Sequence, residues 1–212
     1  MPTDSPAVVD ARLRRRDRAF AGVIKRHGPA PAHRAQPVAQ RFGTLARAIL
    51  YQQLHGAAAE AIHGRVLAAC GSPLTALGLL EAGDETLSAC GVSGPKRRSL
   101  FDLAAKTLDG TIDLRSLGRR TDDEVTEILT TVRGIGPWTA QMFCLVNLGR
   151  RDVWPTGDYG VRAGWTLLHG GGELVAPREL HDLGERFRPH RSTVAWYCWR
   201  AVEEQRPSKA TA

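Results

Sequence analysis

The chain has 212 residues, with 29 lysines and arginines against 22 acidic residues and a net charge of +7. Hydrophobic residues make up 42% and charged residues 24%, which is ordinary for a globular protein and excludes a disordered or fibrous chain. The basic balance is compatible with a polyanionic partner, although charge does not determine fold. No apolar run is long enough for a membrane span, so we expect a soluble cytoplasmic protein with no membrane partner.

Apolar residues recur at helical spacing along nearly the whole chain, and no strand-type alternation of useful length is found. The predicted helices are 8–27, 42–54, 57–70, 74–81, 84–90, 94–108, one that follows a capping box at 121–124, then 138–148, 158–168, 177–187 and 190–204. Residues 29–37 are rich in Pro and Ala and are predicted to be a linker. The predicted fold class is therefore all-α, with about ten helices, most of them short.

The sequence divides into three segments by composition. Residues 1–36 form a basic N-terminal helix and linker that we expect to pack on the core, residues 37–204 form that core, and residues 205–212 form a flexible polar tail. Within the core, the helix 138–148 has no polar face, so we expect it to be central.

The cysteines do not indicate a metal site. They are widely and irregularly spaced, at Cys70, Cys90, Cys144 and Cys198. No CxxC pair or Cys/His cluster is present, which argues against zinc and iron–sulfur centres. Each stands in an apolar context and is predicted to be a small core residue.

The most informative segment is Val132-Arg133-Gly134-Ile135-Gly136-Pro137-Trp138-Thr139-Ala140, which we call the glycine hairpin, with Asp158 following 20 residues after Trp138. Gly134 and Gly136 permit a tight turn with positive φ, with no Cβ between the backbone and an approaching group. Pro137 suits the first position of a helix. The N–H groups of such a turn and helix start form a phosphate site, so the segment predicts a contact to a DNA backbone.

By itself, a Gly-x-Gly turn is as often a simple connection between packed helices as it is a phosphate site. Combined with Asp158, Tyr159 and Arg162 at the start of a later helix, it resembles the helix-hairpin-helix (HhH-GPD) DNA glycosylase superfamily over about residues 8–204. Four segments resemble its 3-methyladenine DNA glycosylase II group: Ile49–Leu54, Gly136–Ala140, Arg188–Ser192 and Trp196–Trp199. The long bacterial form of that group has an N-terminal β-domain, and this chain resembles the short form without it.

The resemblance implies the helix-hairpin-helix glycosylase fold, with two lobes and the active-site cleft between them. It also implies a monomer in the bacterial cytoplasm, associated with the nucleoid, that acts on double-stranded DNA containing damaged bases. Members that also cleave the strand carry a Schiff-base lysine where this chain has Trp138. We therefore expect a monofunctional glycosylase that flips and hydrolytically excises alkylated purines such as 3-methyladenine in base excision repair, with no cofactor required.

The resemblance assigns catalysis to Asp158. Cleavage of an N-glycosidic bond builds positive charge on the sugar, which a fixed carboxylate can stabilise while it orients or deprotonates the attacking water. A position at a helix N-terminus favours the ionised form. The alternative interpretation is that Asp158 only caps the helix. Asp152, six residues earlier, is predicted to be solvated.

The resemblance implies a base pocket that is mainly aromatic, and this suits an alkylated purine, which is cationic and electron-poor and stacks well on aromatic faces. Its members are Trp138, Trp199, Tyr159 and Met142, with Trp165, Trp196 and Tyr197 as weaker candidates. Met142 stands where the best-known relative has an aromatic residue. Core packing is the alternative interpretation for each tryptophan.

The predicted DNA contacts lie at the glycine hairpin and at two other turns. The backbone N–H groups of Gly134, Gly136 and Trp138 are expected to hold a phosphate, with side-chain contacts from Arg133 and Lys96. Gln53 or Leu54 is expected to be the wedge that fills the space left by the flipped base. The resemblance also implies a structural Na⁺ or K⁺ on the backbone carbonyls of Thr130, Val132 and Ile135.

Two other functions are compatible with the same residues. One is a non-catalytic DNA-binding or lesion-sensing protein that uses the hairpin without chemistry. The other is a glycosylase that acts on oxidised, deaminated or mismatched bases. Asp158 argues against the first, and Trp138 in place of lysine argues against the lyase branch of the second.

Overall fold

The computed structural model describes residues 4–205, and all regular secondary structure in that range is helical. The α-helices of this range are α1 (Pro6–Arg16), α2 (Ala21–His27), α3 (Arg41–Tyr51), α4 (Gly56–Cys70), α5 (Ala76–Ala89), α6 (Gly94–Leu108), α7 (Asp122–Thr130), α8 (Pro137–Val146), α9 (Tyr159–Leu168), α10 (Pro177–Gly184) and α11 (Arg191–Glu204). Short 3₁₀ turns occupy Arg18–Phe20, Val38–Gln40, Ser116–Arg119 and Glu185–Phe187. The all-α prediction is confirmed.

The helices form two compact units. Residues 35–149 make the middle unit, with α3 to α8, and residues 4–34 together with 150–205 make the terminal unit, with α1, α2 and α9 to α11. The terminal unit has a core of Leu13, Phe20, Val23, Trp154, Val161, Trp165, Leu180 and Phe187. The middle unit buries Leu45, Ile49, Leu50, Leu79, Leu87, Leu100, Leu103, Val125, Leu129 and Phe143. All but the first residue of the predicted tail 205–212 lie outside the described residues.

The predicted single helix 8–27 is interrupted at Asp17. Its backbone is extended, with φ of −153°, and its side chain accepts a hydrogen bond from the Ala19 N–H at 3.0 Å. Its other carboxylate oxygen pairs with Arg186 at 2.6 Å and with His169 at 2.9 Å. An aspartate that binds nearby N–H groups favours a turn over a continuing helix, so α1 ends there and α2 begins after a 3₁₀ turn. Phe20 at this break is fully buried in the core of the terminal unit.

Two predicted features of the middle unit are present: a break between the helices expected at 74–81 and 84–90, and the capping box at 121–124. The helices expected at 74–81 and 84–90 are two helical segments of α5 that meet at Gly83, whose φ of 77° breaks the helical path. The capping box is present: Thr121 accepts from the Glu124 N–H at 3.2 Å, and Glu124 accepts from the Thr121 N–H at 2.7 Å. These reciprocal bonds fix the start of α7, which leads into the glycine hairpin.

The expectation that the apolar helix 138–148 is central is wrong. Helix α8 buries Thr139, Ala140 and Phe143 on one face. Its other face leaves Trp138 50% exposed and Val146 56% exposed. A helix with no polar face can therefore leave large apolar side chains exposed, which is typical of a surface that contacts another molecule or segment.

Candidate functional site

Asp158 is fixed by hydrogen bonds at the start of α9. Its Oδ1 accepts from the Val161 backbone N–H at 2.7 Å and from the indole Nε1–H of Trp199 at 2.9 Å. Its own N–H donates to the Pro155 carbonyl at 2.9 Å. The half-buried carboxylate thus sits at a positive helix end and receives two N–H donors, an arrangement that stabilises negative charge. Asp158 is an N-cap, as predicted, and the cap holds it in one orientation.

The indole of Trp199 reaches Asp158 because α9 carries glycine at two positions that face α11. A Cβ on Gly160 would lie 2.8 Å from the Trp199 ring and 3.1 Å from Asp158 Oδ1. A Cβ on Gly164 would lie 2.0 Å from the backbone oxygen of Cys198. The distances of 2.8 and 2.0 Å to α11 are shorter than real contacts allow, so side chains here would force the two helices apart. Sequence reasoning missed both glycines, although their four-residue spacing places them on one helix face.

The aromatic residues of the terminal unit separate into exposed and structural groups. Tyr159, beside the catalytic candidate, is 70% exposed, and Trp199 is half-buried. Of the three weaker pocket candidates, Trp165 and Tyr197 are buried in the core, and Trp196 is half-buried. The Tyr197 hydroxyl donates to Asp10 at 2.8 Å, and burial, followed by the nearby Asp10 carboxylate, raises the pKa of this phenol. Trp165 and Tyr197 therefore serve the core, which was the alternative interpretation.

Asp152, which we expected to be solvated, lies in an ion-pair cluster of the terminal unit. It accepts from Arg191 Nε at 2.9 Å and from Arg188 at 2.7 Å. Arg191 also pairs with Glu185 at 2.9 Å. The Arg188–Ser192 segment, one of those that carried the family resemblance, thus ties the start of α11 to the loop before α9.

The glycine hairpin joins α7 to α8 in the middle unit. Gly134 has φ of 78°, as expected, but Gly136 has φ of −97° and serves as the N-cap of α8, so the prediction of positive φ holds only for Gly134. Val132 and Ile135 are buried and anchor the turn. Within residues 4–205, the N–H groups of Gly134 and Gly136 donate to no other group. Two N–H donors thus remain available at this surface for an anion.

Three side chains from α6 and the end of α3 hold the hairpin, and sequence reasoning missed them. Gln52 donates its amide N–H to the Gly134 carbonyl at 2.8 Å. Asp102 accepts from the Arg133 backbone N–H at 2.7 Å and from Lys106 at 2.8 Å, while Lys106 also donates to the Thr131 carbonyl at 2.6 Å. Burial tends to raise the pKa of Asp102, but Lys106 and the Arg133 N–H outweigh it, so the pKa lies below the ordinary value.

The two basic side chains predicted to contact DNA near the hairpin differ in exposure and in hydrogen bonding. The Arg133 side chain is exposed. The Lys96 ammonium instead donates to the Leu50 carbonyl at 2.6 Å, and burial lowers its pKa. Lys96 therefore holds the end of α3 and is not the exposed phosphate contact that the sequence predicts. Arg97, from the same helix start, pairs with Asp84 and is also used within the unit.

The two wedge candidates lie in the turn between α3 and α4. Gln53 has a positive φ of 55°, and no other non-glycine residue of the described range has a positive φ. Its side chain is exposed, and Leu54 is 40% exposed. A non-glycine residue in the left-handed region is strained and recurs at functional sites, so the geometry favours a role for this turn.

The candidate cation ligands also lie at the hairpin. Neutral backbone carbonyls are the kind of donor that Na⁺ and K⁺ accept, and the Val132 carbonyl receives one hydrogen bond, from the Ile135 N–H at 3.1 Å. Its second lone pair can serve a cation. Among residues 4–205, no group of three or more His, Cys, Asp or Glu side chains could hold a metal ion.

Comparisons with known proteins identify the family. Residues 46–189 match the model of the HhH-GPD superfamily base excision DNA repair proteins. The chain belongs to the HhH-GPD superfamily. It is 31% identical over 187 residues to DNA-3-methyladenine glycosylase 1 of Schizosaccharomyces pombe, a match that covers 87% of this chain and 82% of the relative.

Two solved structures of this superfamily resemble the whole chain. The first is the 3-methyladenine DNA glycosylase of Schizosaccharomyces pombe in complex with abasic DNA, with a TM-score of 0.82 and 28% identity, covering 96% of this chain and 99% of that one. The second is a DNA-3-methyladenine glycosidase from Bacillus halodurans, with a TM-score of 0.82 and 31% identity, covering 97% and 94%. The predicted helix-hairpin-helix glycosylase fold is therefore confirmed.

Proposed function

We propose that this chain hydrolyses the N-glycosidic bond of alkylated purines, such as 3-methyladenine, in double-stranded DNA as a step of base excision repair. The observation that carries the proposal is the Asp158 carboxylate, fixed at the start of α9 by Val161 and Trp199. Membership of a base excision repair superfamily supports it, as do relatives named DNA-3-methyladenine glycosylases.

The chemistry needs a fixed negative charge and little acid catalysis. A cationic alkylated purine is already a good leaving group, so the main requirement is to stabilise the positive charge that develops on the sugar. Asp158 meets that requirement and also orients the water that attacks the sugar carbon. Trp138 stands where a strand-cleaving enzyme would need a lysine, so the reaction ends at the abasic site.

Three aromatic side chains and one methionine, all exposed or half-buried, are assigned to the damaged base. Trp138 and Met142 lie four residues apart on α8 of the middle unit, and Tyr159 and Trp199 belong to the terminal unit. Aromatic faces favour an electron-poor, positively charged purine over an ordinary base. Trp199 has a second part in this proposal, because its ring nitrogen also holds Asp158.

The glycine hairpin is assigned to the DNA backbone. The N–H groups of Gly134, Gly136 and Trp138 would hold one phosphate, with Arg133 beside it. Gln53 or Leu54 would occupy the space left by the flipped nucleotide.

The remaining assignments are proposals of the same kind. We infer that catalysis requires no cofactor, with a structural Na⁺ or K⁺ at the carbonyls of Thr130, Val132 and Ile135. Replacing both ions with tetramethylammonium at constant ionic strength tests this site, since hairpin-dependent DNA affinity should fall. We also infer a monomer in the bacterial cytoplasm, associated with the nucleoid. None of the helices between residues 4 and 205 has the length and hydropathy that a membrane crossing requires.

Asp158→Asn is the decisive variant. It keeps a side-chain oxygen that can accept at the N-cap but removes the charge, so we expect excision of 3-methyladenine to fall by at least about 10²-fold with DNA binding retained. Asp182→Asn, an exposed acid of the same unit, is the matched control and should change nothing. Release of free base from single-lesion duplexes is the measurement.

Full activity of Asp158→Asn would remove the proposed mechanism. If neither the wild type nor the variant releases any base although both bind DNA, the non-catalytic DNA-binding function is correct. A duplex panel with oxidised, deaminated and mismatched bases distinguishes the other alternative, since release from those duplexes alone would change the substrate class.

A further inference from the structure

Positive charge is concentrated in one short segment of the terminal unit. Residues 12–26 contain seven Lys and Arg residues and one acid, Asp17. Asp17 is already paired with Arg186 and His169. The segment therefore carries a large local excess of positive charge, which costs free energy through mutual repulsion unless a partner of opposite charge lies nearby.

Three of the seven cations have partners inside the unit. Arg12 pairs with Asp4, and Arg26 binds both carboxylate oxygens of Glu204 at 2.7 Å. Arg16 donates to the backbone carbonyls of Arg186 and Arg188 at 2.6 and 3.0 Å. These three have a structural role that needs no ligand.

The other four cations have no such role. Within residues 4–205, the side chains of Arg14, Arg15, Arg18 and Lys25 form no hydrogen bond and no ion pair. Arg14 interacts electrostatically with Asp10, but that acid is buried and accepts a hydrogen bond from the Tyr197 hydroxyl. Burial raises the pKa of Asp10, although Tyr197 and Arg14 act to lower it.

Two of the four cations line the same cleft. Arg14, in the last turn of α1, and Lys25, in the last turn of α2, line a shallow cleft that is widely open to solvent, together with Ala21, Ile24 and Gly28. The rest of this lining is small or apolar apart from Asp10, so the two long side chains can reach a group that enters between them. Both also complement the carbonyl ends of their helices, which the experiment must separate from ligand binding.

We propose that this cleft, which we call the Arg14–Lys25 cleft, binds the phosphate backbone of DNA and gives the terminal unit a DNA contact of its own. The proposal rests on the proposed function, because that function supplies the polyanion. DNA suits the cleft better than an acidic peptide does, since phosphates are evenly spaced and their condensed counterions are released when cations replace them. The contact carries no sequence information and adds to affinity for damaged and undamaged duplexes alike.

The salt dependence of binding to an undamaged duplex tests the cleft directly. Each phosphate contact adds about 0.9 to the slope of log K against log salt, so Arg14→Gln/Lys25→Gln should lower the slope by about 1.8 and weaken binding about tenfold at low salt. The matched control is Arg119→Gln/Arg178→Gln, which removes two exposed cations that also lack partners in the described residues. The charge-keeping swap Arg14→Lys/Lys25→Arg should keep the wild-type slope.

A second measurement needs no variant. Amine-selective labelling of the wild type, read by mass spectrometry, should show Lys25 protected when undamaged duplex is added.

Equal slopes for both double variants, or no protection of Lys25, would overturn the proposal. A loss of slope in the swap would also count against it, since the charges remain. Because the duplex is undamaged and no base is released, these results are independent of whether Asp158→Asn abolishes excision.

Discussion

The two units differ sharply in charge and in what they offer to DNA. The middle unit, residues 35–149, has 11 basic and 11 acidic residues and contains the hairpin that we propose binds phosphate. The described part of the terminal unit has 16 basic and 11 acidic residues and contains Asp158. In the proposed function the hairpin therefore relies on oriented N–H groups in a unit with no net charge, whereas the unit with the proposed catalytic acid has an excess of cations. Oriented N–H groups bind a phosphate at one fixed position. A diffuse excess of positive charge raises the affinity for DNA without fixing the position of the protein along the duplex.

The first test of this comparison is Trp199→Phe in the terminal unit. It removes the N–H that holds Asp158 but keeps an aromatic ring. A hydrogen bond to a charged group is worth about 1.5–3 kcal/mol, so single-turnover excision at saturating enzyme should fall about 10- to 100-fold. Affinity for an undamaged duplex should be nearly unchanged, because the backbone contacts are assigned to the hairpin and not to Trp199.

Trp196→Phe is the matched control for that variant. Trp196 is half-buried on the same helix, but its ring contacts His27 and Tyr197. Excision should stay within about twofold of the wild type. Equal losses in the two variants would mean that the ring packing of α11, and not the bond to Asp158, supports catalysis.

The second test concerns the middle unit, where Gly136→Ala separates folding from binding. A Cβ at Gly136 meets no heavy atom within 4 Å, and its φ of −97° suits any residue. The variant should therefore keep its stability, while the methyl group hinders a phosphate that approaches the N–H groups. We expect about tenfold weaker DNA binding by anisotropy, with excision at saturating enzyme largely kept.

Gly134→Ala is the informative partner. There φ is 78° and a Cβ would lie 2.7 Å from the Ser99 hydroxyl oxygen, so this variant should lose about 1–3 kcal/mol of stability as well as DNA affinity. Unchanged DNA affinity in Gly136→Ala would show that the hairpin does not approach the backbone.

The all-α class, the order of the helices and the candidate acid could be predicted from sequence because each depends on local patterns. The capping box at Thr121 and the N-cap at Asp158 are examples, since both use groups within three residues of each other. The break at Asp17 was missed because its local hydrogen bond from the Ala19 N–H is backed by ion pairs of the same carboxylate with Arg186 and His169, which are distant in sequence.

The supports of the site were missed for the same reason. Asp102 and Lys106 look like an ordinary i,i+4 surface pair, and only the fold brings them to the Arg133 N–H and the Thr131 carbonyl. Gly160 looks like a random helix glycine until Trp199 is found against it. Contacts between distant segments leave no periodic signal, so a single sequence predicts the elements better than what holds the site.

The smallest expected effect concerns the Asp102 support of the hairpin and depends on pH. The folded state lowers the pKa of Asp102 from its ordinary value of 3.8, so its stabilising contribution is fully present above that pH and is lost as the pH falls through the lower folded value. Because both partners are partly exposed, the contribution should be at most about 1 kcal/mol. Lys106→Met should reduce the pH dependence of unfolding by urea between pH 2 and about 5, whereas Arg119→Met should not. If Lys106→Met also weakens DNA binding at neutral pH and Arg119→Met does not, the Asp102–Lys106 pair also sets the position of the hairpin N–H groups. A hairpin that binds through dipoles depends on such neutralised supports, because an uncompensated carboxylate beside it would repel the phosphate.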